Sequence, residues 1–433
     1  MKPISFGTDG IRGRAGSHPV TNAVAVRVGR AANKLAQAVG GSRVVVGYDT
    51  RPSSEGLARA AGAGITSSGG SWLDAGVVPT SAVGLAIADG LADVGVMVTA
   101  SHNPASDNGF KILGEGGRKL DDAASRAVEA WIAEAPPEVD GGPPTENVGR
   151  AVLDGWRRTV RGGMPPAERF AGRRIAFDFA NGASATAATW LLEDWPPEVH
   201  VVRGPGEINE GCGSEHPERL QRAVVEHGCD GGIALDGDGD RCRVVDERGE
   251  LVPGDAVLWW LARAMQVSGL VVTVMSNGAL EPSLPGVRVV RTPVGDRHVR
   301  DQMDALSIPL GGEESGHILF GDVAAGDGLL AGLRTLGTAW GEHATLSAAF
   351  EGFEPLPRAA GKVQVGERPP LAEVAALQEV REASAAQLGP HGRVFLRYSG
   401  TEPVLRLLVE GRSQDDVDAV LAEVSAVARD VLS

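Results

Sequence analysis

Three uninterrupted apolar runs, widely separated along the chain, constrain the fold more than any other feature of the sequence. They occupy Arg43–Gly47, Arg174–Asp178 and Leu270–Val274. Runs without polar alternation are typical of strands buried on both faces, as in parallel sheets that helices cover. Each run is followed by a polar turn, a helical pattern rich in Ala and Leu, and further short strands. The sequence therefore predicts three similar α/β domains.

The third predicted strand of each repeat runs into a polar loop. The three strands and their loops are Val94–Thr99 with Ala100–Pro104, Gly231–Leu235 with Asp236–Arg241, and Ile308–Leu310 with Gly312–His317. Ligand sites in open α/β sheets lie at the carboxyl ends of strands. We therefore expect the three loops to face a common central cleft.

The loop Asp236–Arg241 alternates aspartate with glycine. Alternate side chains of an extended segment share one face, so Asp236, Asp238 and Asp240 converge and need a cation among them. Hard oxygen ligands favour Mg²⁺ or Ca²⁺ over softer metals. An EF-hand is excluded because Arg241 stands where that loop needs glycine. An acidic surface turn is the alternative that the pattern leaves open.

Ser101 is the candidate nucleophile, at the end of a predicted strand and beside His102. The turn at Asn103-Pro104 would project its side chain into the cleft. Lys111 follows in the next predicted strand and could return to the same site. A solvated surface lysine is the alternative for that residue.

Two further loops carry groups suited to a phosphorylated sugar. Arg397–Pro403 combines an arginine fork, hydroxyls and a glycine, which suit a phosphate dianion, and Arg406 adds a second cation. Glu313 and Ser315 could hydrogen-bond sugar hydroxyls, while His317 could shuttle protons or contact phosphate. For Arg397–Pro403 the alternative is a hairpin turn of small residues. For Gly312–His317 the alternative is a polar loop with a structural histidine.

Composition restricts the class of protein. The chain has 433 residues, 42% of them hydrophobic, and a net charge of −15, which suits a multidomain α/β protein and opposes binding to nucleic acid or anionic membranes. Its 3 cysteines are widely spaced and form no C-x-x-C pair, which indicates reduced thiols in a cytoplasmic protein. No secretory signal or membrane-spanning segment is expected.

Stretches rich in Pro and Gly suggest the domain boundaries. The predicted domains are residues 1–148, 149–252, 253–354 and 355–433. The sequence of the last domain has the pattern β-α-β-β-α, with a strand at Lys362–Val365 and a helix at Leu371–Ala386. This pattern predicts a small α+β domain. Ser413 and Asp416 form a predicted capping box for its terminal helix.

Five motifs, in this order, resemble those of the α-D-phosphohexomutases, and the resemblance covers essentially the whole chain. They are Phe6–Gly13 (FGTDGIRG), Thr99–Pro104 (TASHNP), Leu235–Arg241 (LDGDGDR), Gly311–His317 (GGEESGH) and Arg397–Pro403 (RYSGTEP). The resemblance implies three similar α/β domains with mixed sheets and a smaller α+β C-terminal domain around a central cleft. It implies interconversion of glucosamine 6-phosphate and glucosamine 1-phosphate, with mannose and glucose phosphates as the alternative substrates.

The resemblance also implies a role for each candidate residue. Ser101 would carry the activating phosphate, and that group, with Asp236, Asp238 and Asp240, would hold one Mg²⁺ per subunit. A glucose or glucosamine 1,6-bisphosphate would be the activator or intermediate. The implied catalytic residues are Ser101, His102, Lys111, Arg12, Arg241 and His317, with Lys111 in acid/base work and Arg12 and Arg241 balancing charge near the transferred group. The residues around Arg12, Phe6–Gly13, themselves predict a glycine-rich turn at that position. The implied substrate-binding residues are Glu313, Ser315, Arg397, Ser399, Gly400, Thr401 and Arg406.

Two positions depart from the family pattern. Glu314 stands where Gln or Met is usual, and Tyr398 where Lys or Pro is usual. A carboxylate at Glu314 would favour an amino sugar in its ammonium form. The expected partner is a small hexosamine phosphate, and the chain is expected to be a monomer or homodimer. A phosphatase and a non-catalytic sugar-phosphate binder are the remaining hypotheses.

Overall fold

The computed structural model describes residues 4, 6–7, 10–134, 143–192, 195–399 and 403–432. The chain divides into two compact units. One contains Met1–Met275 and Arg288–Phe350, and the other contains Ser276–Val287 and Glu351–Ser433. Within the described residues, three sheets belong to the first unit and one sheet belongs to the second.

The first sheet has a mixed strand arrangement. Its strands are β1 (Ile11–Arg14), β2 (Arg43–Tyr48), β3 (Ser71–Val77), β4 (Val94–Val98), β5 (Asp107–Leu113) and β6 (Glu146–Asn147). Its helices are α1 (Asn22–Ala38), α2 (Ser54–Ser67), α3 (Thr80–Ala88), α4 (Asp122–Glu134) and α5 (Gly149–Gly163). The strand order is β1-β5-β4-β2-β3-β6, in which β2 is parallel to β3 and β4, and β5 is antiparallel to β4.

The second and third sheets follow along the chain. The strands are β7 (Arg174–Asp178), β8 (Glu198–Val202), β9 (Gly231–Leu235), β10 (Cys242–Asp246), β11 (Leu251–Val252), β12 (Gly269–Thr273), β13 (Arg288–Thr292), β14 (Leu310–Gly312) and β15 (Ile318–Phe320). The helices are α6 (Ser184–Leu192), α7 (Glu218–Glu226), α8 (Gly254–Ala264), α9 (Leu280–Ser283), α10 (Asp296–Leu306), α11 (Gly328–Glu342) and α12 (Leu346–Phe350). The strand orders are β11-β10-β9-β7-β8 and β13-β12-β14-β15.

The three sheets of the first unit repeat one topology. In each, a central strand (β2, β7 or β12) pairs in parallel with the second and third strands of its repeat. The third strand is then followed by an antiparallel one, β5, β10 or β15. The loop between the third and fourth strands therefore occupies the same topological position in each sheet. The predicted equivalence of the three polar loops is confirmed.

The apolar runs form the central strands of the three sheets, where they are buried on both faces. Val44–Val46, Ile175–Phe177 and Leu270–Val272 expose none of their surface. Burial on both faces removes the need for polar alternation, which is the pattern that the sequence shows. Among the described residues, none of the helices combines the length and the apolar character that a membrane-spanning segment needs.

The second unit contains an antiparallel sheet and two long helices. Its sheet strands are β16 (Arg358–Gln364), β17 (Arg393–Tyr398) and β18 (Val404–Glu410), in the order β16-β18-β17. Its long helices are α13 (Ala375–Leu388) and α14 (Gln414–Leu432). The predicted β-α-β-β-α order is confirmed.

Two elements of the second unit differ from the prediction. The first strand, β16, spans Arg358–Gln364 rather than the predicted Lys362–Val365. The predicted start of α13 at Leu371 is wrong, because Leu371–Glu373 form a separate 3₁₀ turn before it. The predicted cap of α14 is present: the backbone N–H of Asp416 donates to Ser413 Oγ at 3.2 Å. That bond gives an acceptor to one of the backbone N–H groups of the first helical turn, which have no acceptor within the helix.

Helices α1 and α2 pack so closely that glycines form the contact. A Cβ at Gly29 would lie 1.9 Å from the carbonyl oxygen of Ala61, and a Cβ at Gly64 would lie 2.0 Å from that of Val26. Backbone atoms cannot move aside as a flexible side chain can, so only glycine fits at these two positions.

Gly64→Ala is expected to lower the free energy of unfolding by about 1–3 kcal/mol, because its methyl group overpacks the α1–α2 contact. Urea unfolding followed by circular dichroism measures the change. Gly56→Ala in the same helix is the matched control, since nothing lies within 4 Å of its added Cβ. We expect the control to be neutral or to stabilise by up to about 1 kcal/mol through helix propensity. Wild-type stability of Gly64→Ala would contradict the packing described.

Candidate active site

Ser101 lies in the loop after β4, and its side chain is buried. Its backbone φ of 52° is left-handed, a conformation that residues other than glycine adopt mainly at functional sites and turns. Ser101 Oγ donates a hydrogen bond of 2.6 Å to Asp236 Oδ2 and lies 3.3 Å from His102 Nδ1. The loop of the first sheet therefore meets the aspartate loop of the second sheet at the serine hydroxyl.

The three aspartates of that loop converge, as the sequence predicts. One carboxylate oxygen from each of Asp236, Asp238 and Asp240 lies within 4.8 Å of the other two, and all three side chains are buried. Burial, reinforced by the charges of Asp240 and Asp238, raises the pKa of Asp236 well above its ordinary value. The alternative of an acidic surface turn is therefore wrong.

The donor set of the cluster fits a small divalent cation. Asp238 Oδ2 accepts hydrogen bonds from Thr80 Oγ1 and Lys111 Nζ, whereas Asp238 Oδ1 is buried with no hydrogen-bond partner among the described residues. An unpartnered buried carboxylate oxygen is costly, and a hard cation would satisfy it while relieving the repulsion between the carboxylates. The three aspartates could therefore bind a metal ion.

Lys111 lies in β5 and is 1% exposed, so the alternative of a solvated surface lysine is wrong. Its Nζ donates to Asp238 Oδ2 and to Asp240 Oδ2, each at 2.7 Å. The ammonium group balances part of the negative charge of the cluster. Because β5 pairs with β4, Lys111 lies close to the loop of residues 99–106 that contains Ser101 (the serine loop), as expected from the sequence.

Arg12 lies in β1, so the prediction that it belongs to a glycine-rich turn is wrong. Its strand pairs with β5 far along the chain, and Arg12 lies opposite Gly109 in that pairing. Arg12 Nη1 is 3.4 Å from Asn103 Oδ1 in the serine loop. The structure therefore brings this predicted site residue to the loop that contains Ser101.

Arg241 closes the aspartate loop. Its backbone N–H donates to Asp236 Oδ1 at 3.1 Å, and its Nη1 lies 3.8 Å from Glu215 Oε1. Burial lowers the pKa of His102, and the positive charges of Arg241 and Arg12 lower it further. The imidazole is therefore neutral at pH 7, and two guanidinium groups lie close enough to affect its charge.

The third loop presents the predicted sugar-binding residues. Glu313 Oε1 accepts a hydrogen bond of 3.0 Å from the backbone N–H of Gly295. Ser315 Oγ is buried and has no hydrogen-bond partner among the described residues. A cavity of about 190 Å³ lies beside the loop. Its polar lining includes Lys119, Arg241, Asp296, Glu313, Glu314, Ser315 and His317.

His317 links this loop to the carboxylate cluster. Its Nδ1 is 3.7 Å from Asp240 Oδ1, and its Nε2 is 3.5 Å from Asp296 Oδ2. The imidazole is buried between the two carboxylates. A polar cavity with cationic, anionic and hydroxyl groups at its wall suits a small charged molecule rather than an apolar one.

The second unit contains the remaining predicted site residues. Arg397 in β17 lies directly opposite Arg406 in β18, and Ser399 is buried just beyond the end of β17. Gly400 and Thr401 lie outside the described residues. Phosphate binding by this hairpin stays a prediction.

Three positioning residues escaped the sequence reasoning. Thr80 orients Asp238, while Arg51 and Asn209 donate to backbone carbonyls of the serine loop. Arg51 follows the carboxyl end of β2, where ligand sites of open α/β sheets lie, so its position along the chain could have marked it as a site residue. The contacts of Thr80 and Asn209 join distant parts of the chain, so no local pattern marks them.

Asp238→Asn is expected to weaken Mg²⁺ binding at least about tenfold, because it removes a full negative charge from the cluster. Isothermal titration calorimetry on metal-stripped protein measures the dissociation constant. Asp154→Asn is the control, since it removes the same charge from a half-buried position on α5 that lies outside the carboxylate cluster. Unchanged affinity in Asp238→Asn would exclude this aspartate as a ligand.

Mg²⁺ binding to the wild-type protein, measured by the same calorimetric titration, should depend on pH. Because the pKa of Asp236 is raised, protons compete with the cation at a pH where an ordinary aspartate is already ionised. The Mg²⁺ affinity should therefore fall as the pH is lowered from 8 towards 6, a range chosen to lie above the ordinary aspartate pKa of about 4.

Solved structures share this fold. The phosphoglucomutase/phosphomannomutase family protein of Burkholderia thailandensis aligns with a TM-score of 0.79 at 23% identity, covering 99% of this chain and 96% of that one. The N-acetylphosphoglucosamine mutase of Aspergillus fumigatus, solved with GlcNAc-6P and magnesium, aligns with a TM-score of 0.67 at 19% identity, covering 100% of this chain and 96% of that one.

Curated relatives match along almost the whole sequence. The phosphoglucosamine mutase of Paracoccus denitrificans is 42% identical and covers 97% of this chain and 98% of its own length. That of Symbiobacterium thermophilum is 39% identical and covers 99% of both.

Four family models match the chain in succession. The models of phosphoglucomutase/phosphomannomutase α/β/α domains I, II and III match residues 3–138, 164–249 and 253–356, and the model of the C-terminal domain matches residues 362–427. Together with the full-length relatives, they show that the chain belongs to the phosphoglucomutase/phosphomannomutase family, within which its relatives include the phosphoglucosamine mutases.

Proposed function

We propose that this chain interconverts glucosamine 6-phosphate and glucosamine 1-phosphate through a phosphoserine at Ser101 and a bisphosphate intermediate. The observation that carries the proposal is the 2.6 Å hydrogen bond from Ser101 Oγ to Asp236 Oδ2, which places a nucleophilic hydroxyl at the edge of a carboxylate cluster. The names of the full-length relatives support the substrate class and the mutase reaction.

Phosphoryl transfer depends mainly on positioning and on stabilising charge at the transferred group. Asp236, Asp238 and Asp240, together with an oxygen of the Ser101 phosphate, would hold Mg²⁺, which supplies positive charge to the phosphoryl oxygens. The Aspergillus fumigatus relative was solved with magnesium, which supports this choice of metal. Arg12 and the side chain of Arg241 would add positive charge from the chain itself.

The reaction balances as two transfers. In the first, the bond between Ser101 Oγ and phosphorus breaks and the free sugar hydroxyl bonds to that phosphorus. The hydroxyl proton passes to a base, and the leaving Ser101 Oγ takes up a proton from an acid. The sugar then reorients as a 1,6-bisphosphate, and its other phosphoryl group returns to Ser101. Lys111, 2.7 Å from two carboxylates, and His102, 3.3 Å from Ser101 Oγ, are the groups proposed to exchange protons.

The sugar and its non-reacting phosphate need separate contacts. Glu313 and Ser315 are proposed to bind sugar hydroxyls, and the unpartnered Ser315 Oγ at the cavity supports this role. His317 is proposed to contact the phosphate or shuttle a proton. The proposed phosphate-binding residues are Arg397, Ser399, Gly400, Thr401 and Arg406.

Glu314 favours an amino sugar over the neutral hexoses. It lines the same cavity as Glu313 and Ser315, and its carboxylate is proposed to lie near the amino group of the bound sugar. A carboxylate attracts the full positive charge of an ammonium group more strongly than it attracts a neutral hydroxyl at the same position, which can only donate a hydrogen bond to it. The division at residues 148, 252 and 354, the monomer or homodimer and the cytoplasmic location stay predictions.

A substrate panel tests the proposed function. Protein whose Ser101 phosphorylation has been verified by intact mass should convert glucosamine 6-phosphate with a kcat/KM at least about 100-fold above that for glucose or mannose phosphates. Faster turnover of mannose or glucose phosphate would instead assign the chain to the phosphomannomutase/phosphoglucomutase activity. Inorganic phosphate released in step with substrate loss would indicate a phosphatase.

Ser101→Ala should lower turnover by at least about 10⁴-fold, because the variant has no group to carry the phosphoryl between the two transfers. A coupled assay measures turnover, and calorimetry should show near-wild-type binding of the sugar phosphate. Ser67→Ala on the exposed face of α2 is the matched control and should behave as wild type. Full activity in Ser101→Ala would exclude the covalent mechanism.

A further inference from the structure

We propose that Arg51 and Asn209 form one clamp that fixes Ser101 relative to the aspartate cluster. Both are positioning residues, because they contact the backbone of the serine loop and not its reacting hydroxyl. The proposal rests on the proposed function, since the exact place of Ser101 affects catalysis only if this serine carries the phosphoryl group.

The serine loop needs external support to keep its shape. A left-handed φ of 52° at Ser101 is unfavourable for a residue with a side chain and persists only where the surroundings enforce it. Two local hydrogen bonds help to stabilise this conformation. The backbone N–H of Ser101 donates to Thr99 Oγ1 at 2.9 Å, and Thr99 Oγ1 donates to Asp49 Oδ2 at 2.7 Å. These bonds hold the amide side of Ser101 but not its carbonyl.

The side chains of Arg51 and Asn209 hold the carbonyl group of Ser101, and both donate to the same two carbonyl oxygens. Arg51 Nη2 donates to the carbonyl oxygens of Ser101 and Asn103, at 2.8 Å each. Asn209 Nδ2 donates to the same two oxygens, at 2.8 Å and 3.0 Å. Each carbonyl therefore accepts one bond from each side chain. The peptide segment between them, which contains His102, is fixed at both ends.

The two side chains come from different parts of the first unit. Arg51 follows β2 of the first sheet and is itself held by a fully buried ion pair to Asp49, with 2.9 Å between Nε and Oδ2. Its Nη1 also donates to the carbonyl oxygens of Pro104 and Asp107. One guanidinium group thus holds three carbonyls of the serine loop and the carbonyl of Asp107 at the start of β5.

Asn209 lies in the connection between β8 and α7, within the segment that also contains the aspartate loop. Its own φ of 61° is left-handed, and its backbone N–H donates to the carbonyl of Ala180 at 2.9 Å. A Cβ at Gly237 would lie 2.7 Å from the carbonyl oxygen of Ser101, so the aspartate loop packs directly against the same carbonyl. Asn209 therefore ties the nucleophile to the segment that holds the carboxylates.

Asn209→Gly removes this tie while keeping the backbone, because glycine adopts left-handed φ values freely. We expect the single-turnover rate of transfer from phosphorylated Ser101 to glucosamine 6-phosphate to fall about 10- to 100-fold, as for a nucleophile displaced by a fraction of an ångström to one ångström. The dissociation constant of the sugar phosphate should stay within about twofold, because the clamp does not contact the proposed sugar site.

Asn33→Ala is the matched control. Asn33 is 1% exposed and donates from Nδ2 to the carbonyl oxygen of Ser68 at 2.9 Å, away from the serine loop. We expect it to lose stability without losing the transfer rate. A rate loss of similar size in both variants would mean that general destabilisation explains the result, and would overturn the proposal.

A double-mutant cycle tests whether the two residues act as one clamp. Arg51→Lys keeps the charge but cannot span four carbonyls, and each single variant leaves one donor on each shared oxygen. The double variant leaves at most the compact ammonium group of lysine for the two shared oxygens, and it should lower the rate by more than the product of the two single effects. A double variant whose effect equals that product would show two independent contacts and contradict the clamp.

Hydrogen exchange separates failure of the clamp from failure of the proposed function. Amides of residues 99–107 should exchange faster in Asn209→Gly than in the wild type, and at the wild-type rate in Asn33→Ala. If wild-type protein phosphorylated at Ser101 transfers to no sugar phosphate, the proposed function fails while exchange still tests the clamp. If Asn209→Gly exchanges faster but keeps the wild-type transfer rate, Asn209 supports the structure of the loop and not catalysis, which would overturn the proposal. Unchanged exchange in Asn209→Gly would show that Asn209 does not hold the loop, which would also overturn it.

Discussion

Mutual repulsion of three buried carboxylates is the constraint on which the rest of the site depends. Carboxylates within 4.8 Å of one another in a buried setting are tolerated only where donors or cations surround them. The first sheet supplies the donors, through Ser101, Thr80 and Lys111, while the second sheet supplies the carboxylates. The electrostatic demand of the cluster therefore joins the two sheets at the point where the nucleophile lies, and Asp238 Oδ1 is left for a cation.

One repeated topology accounts for how such a composite site is assembled. Each of the three sheets places a loop between its third, parallel strand and the antiparallel strand that follows. The first such loop carries Ser101, the second carries the aspartates, and the third carries Glu313, Ser315 and His317. The nucleophile, the metal ligands and the polar wall of a cavity thus come from topologically equivalent positions with different residues.

The sequence predicted the parts of the site that local patterns encode. A buried strand followed by alternating aspartates determines where the carboxylates point, and no distant contact is needed to infer it. Arg12 was misplaced because glycine-rich sequence around it resembles a turn, whereas β1 forms only by pairing with the distant β5. Asn209 could not be predicted because its acceptors are backbone carbonyls, which look alike in every sequence, and the only signal for Arg51 was its place after the carboxyl end of β2. Long-range hydrogen bonding decides such roles, and one sequence alone does not encode it in a readable pattern.

Anomalous diffraction from crystals of the Ser101-phosphorylated protein, grown with Mn²⁺ as a substitute for Mg²⁺, tests most directly whether the three aspartates and the phosphoserine share one cation. We expect one strong peak bonded to an oxygen of each of Asp236, Asp238 and Asp240 and to an oxygen of the Ser101 phosphate, at about 2.1 Å. A peak elsewhere, or Lys111 Nζ still bridging Asp238 and Asp240 with no metal among the carboxylates, would contradict it.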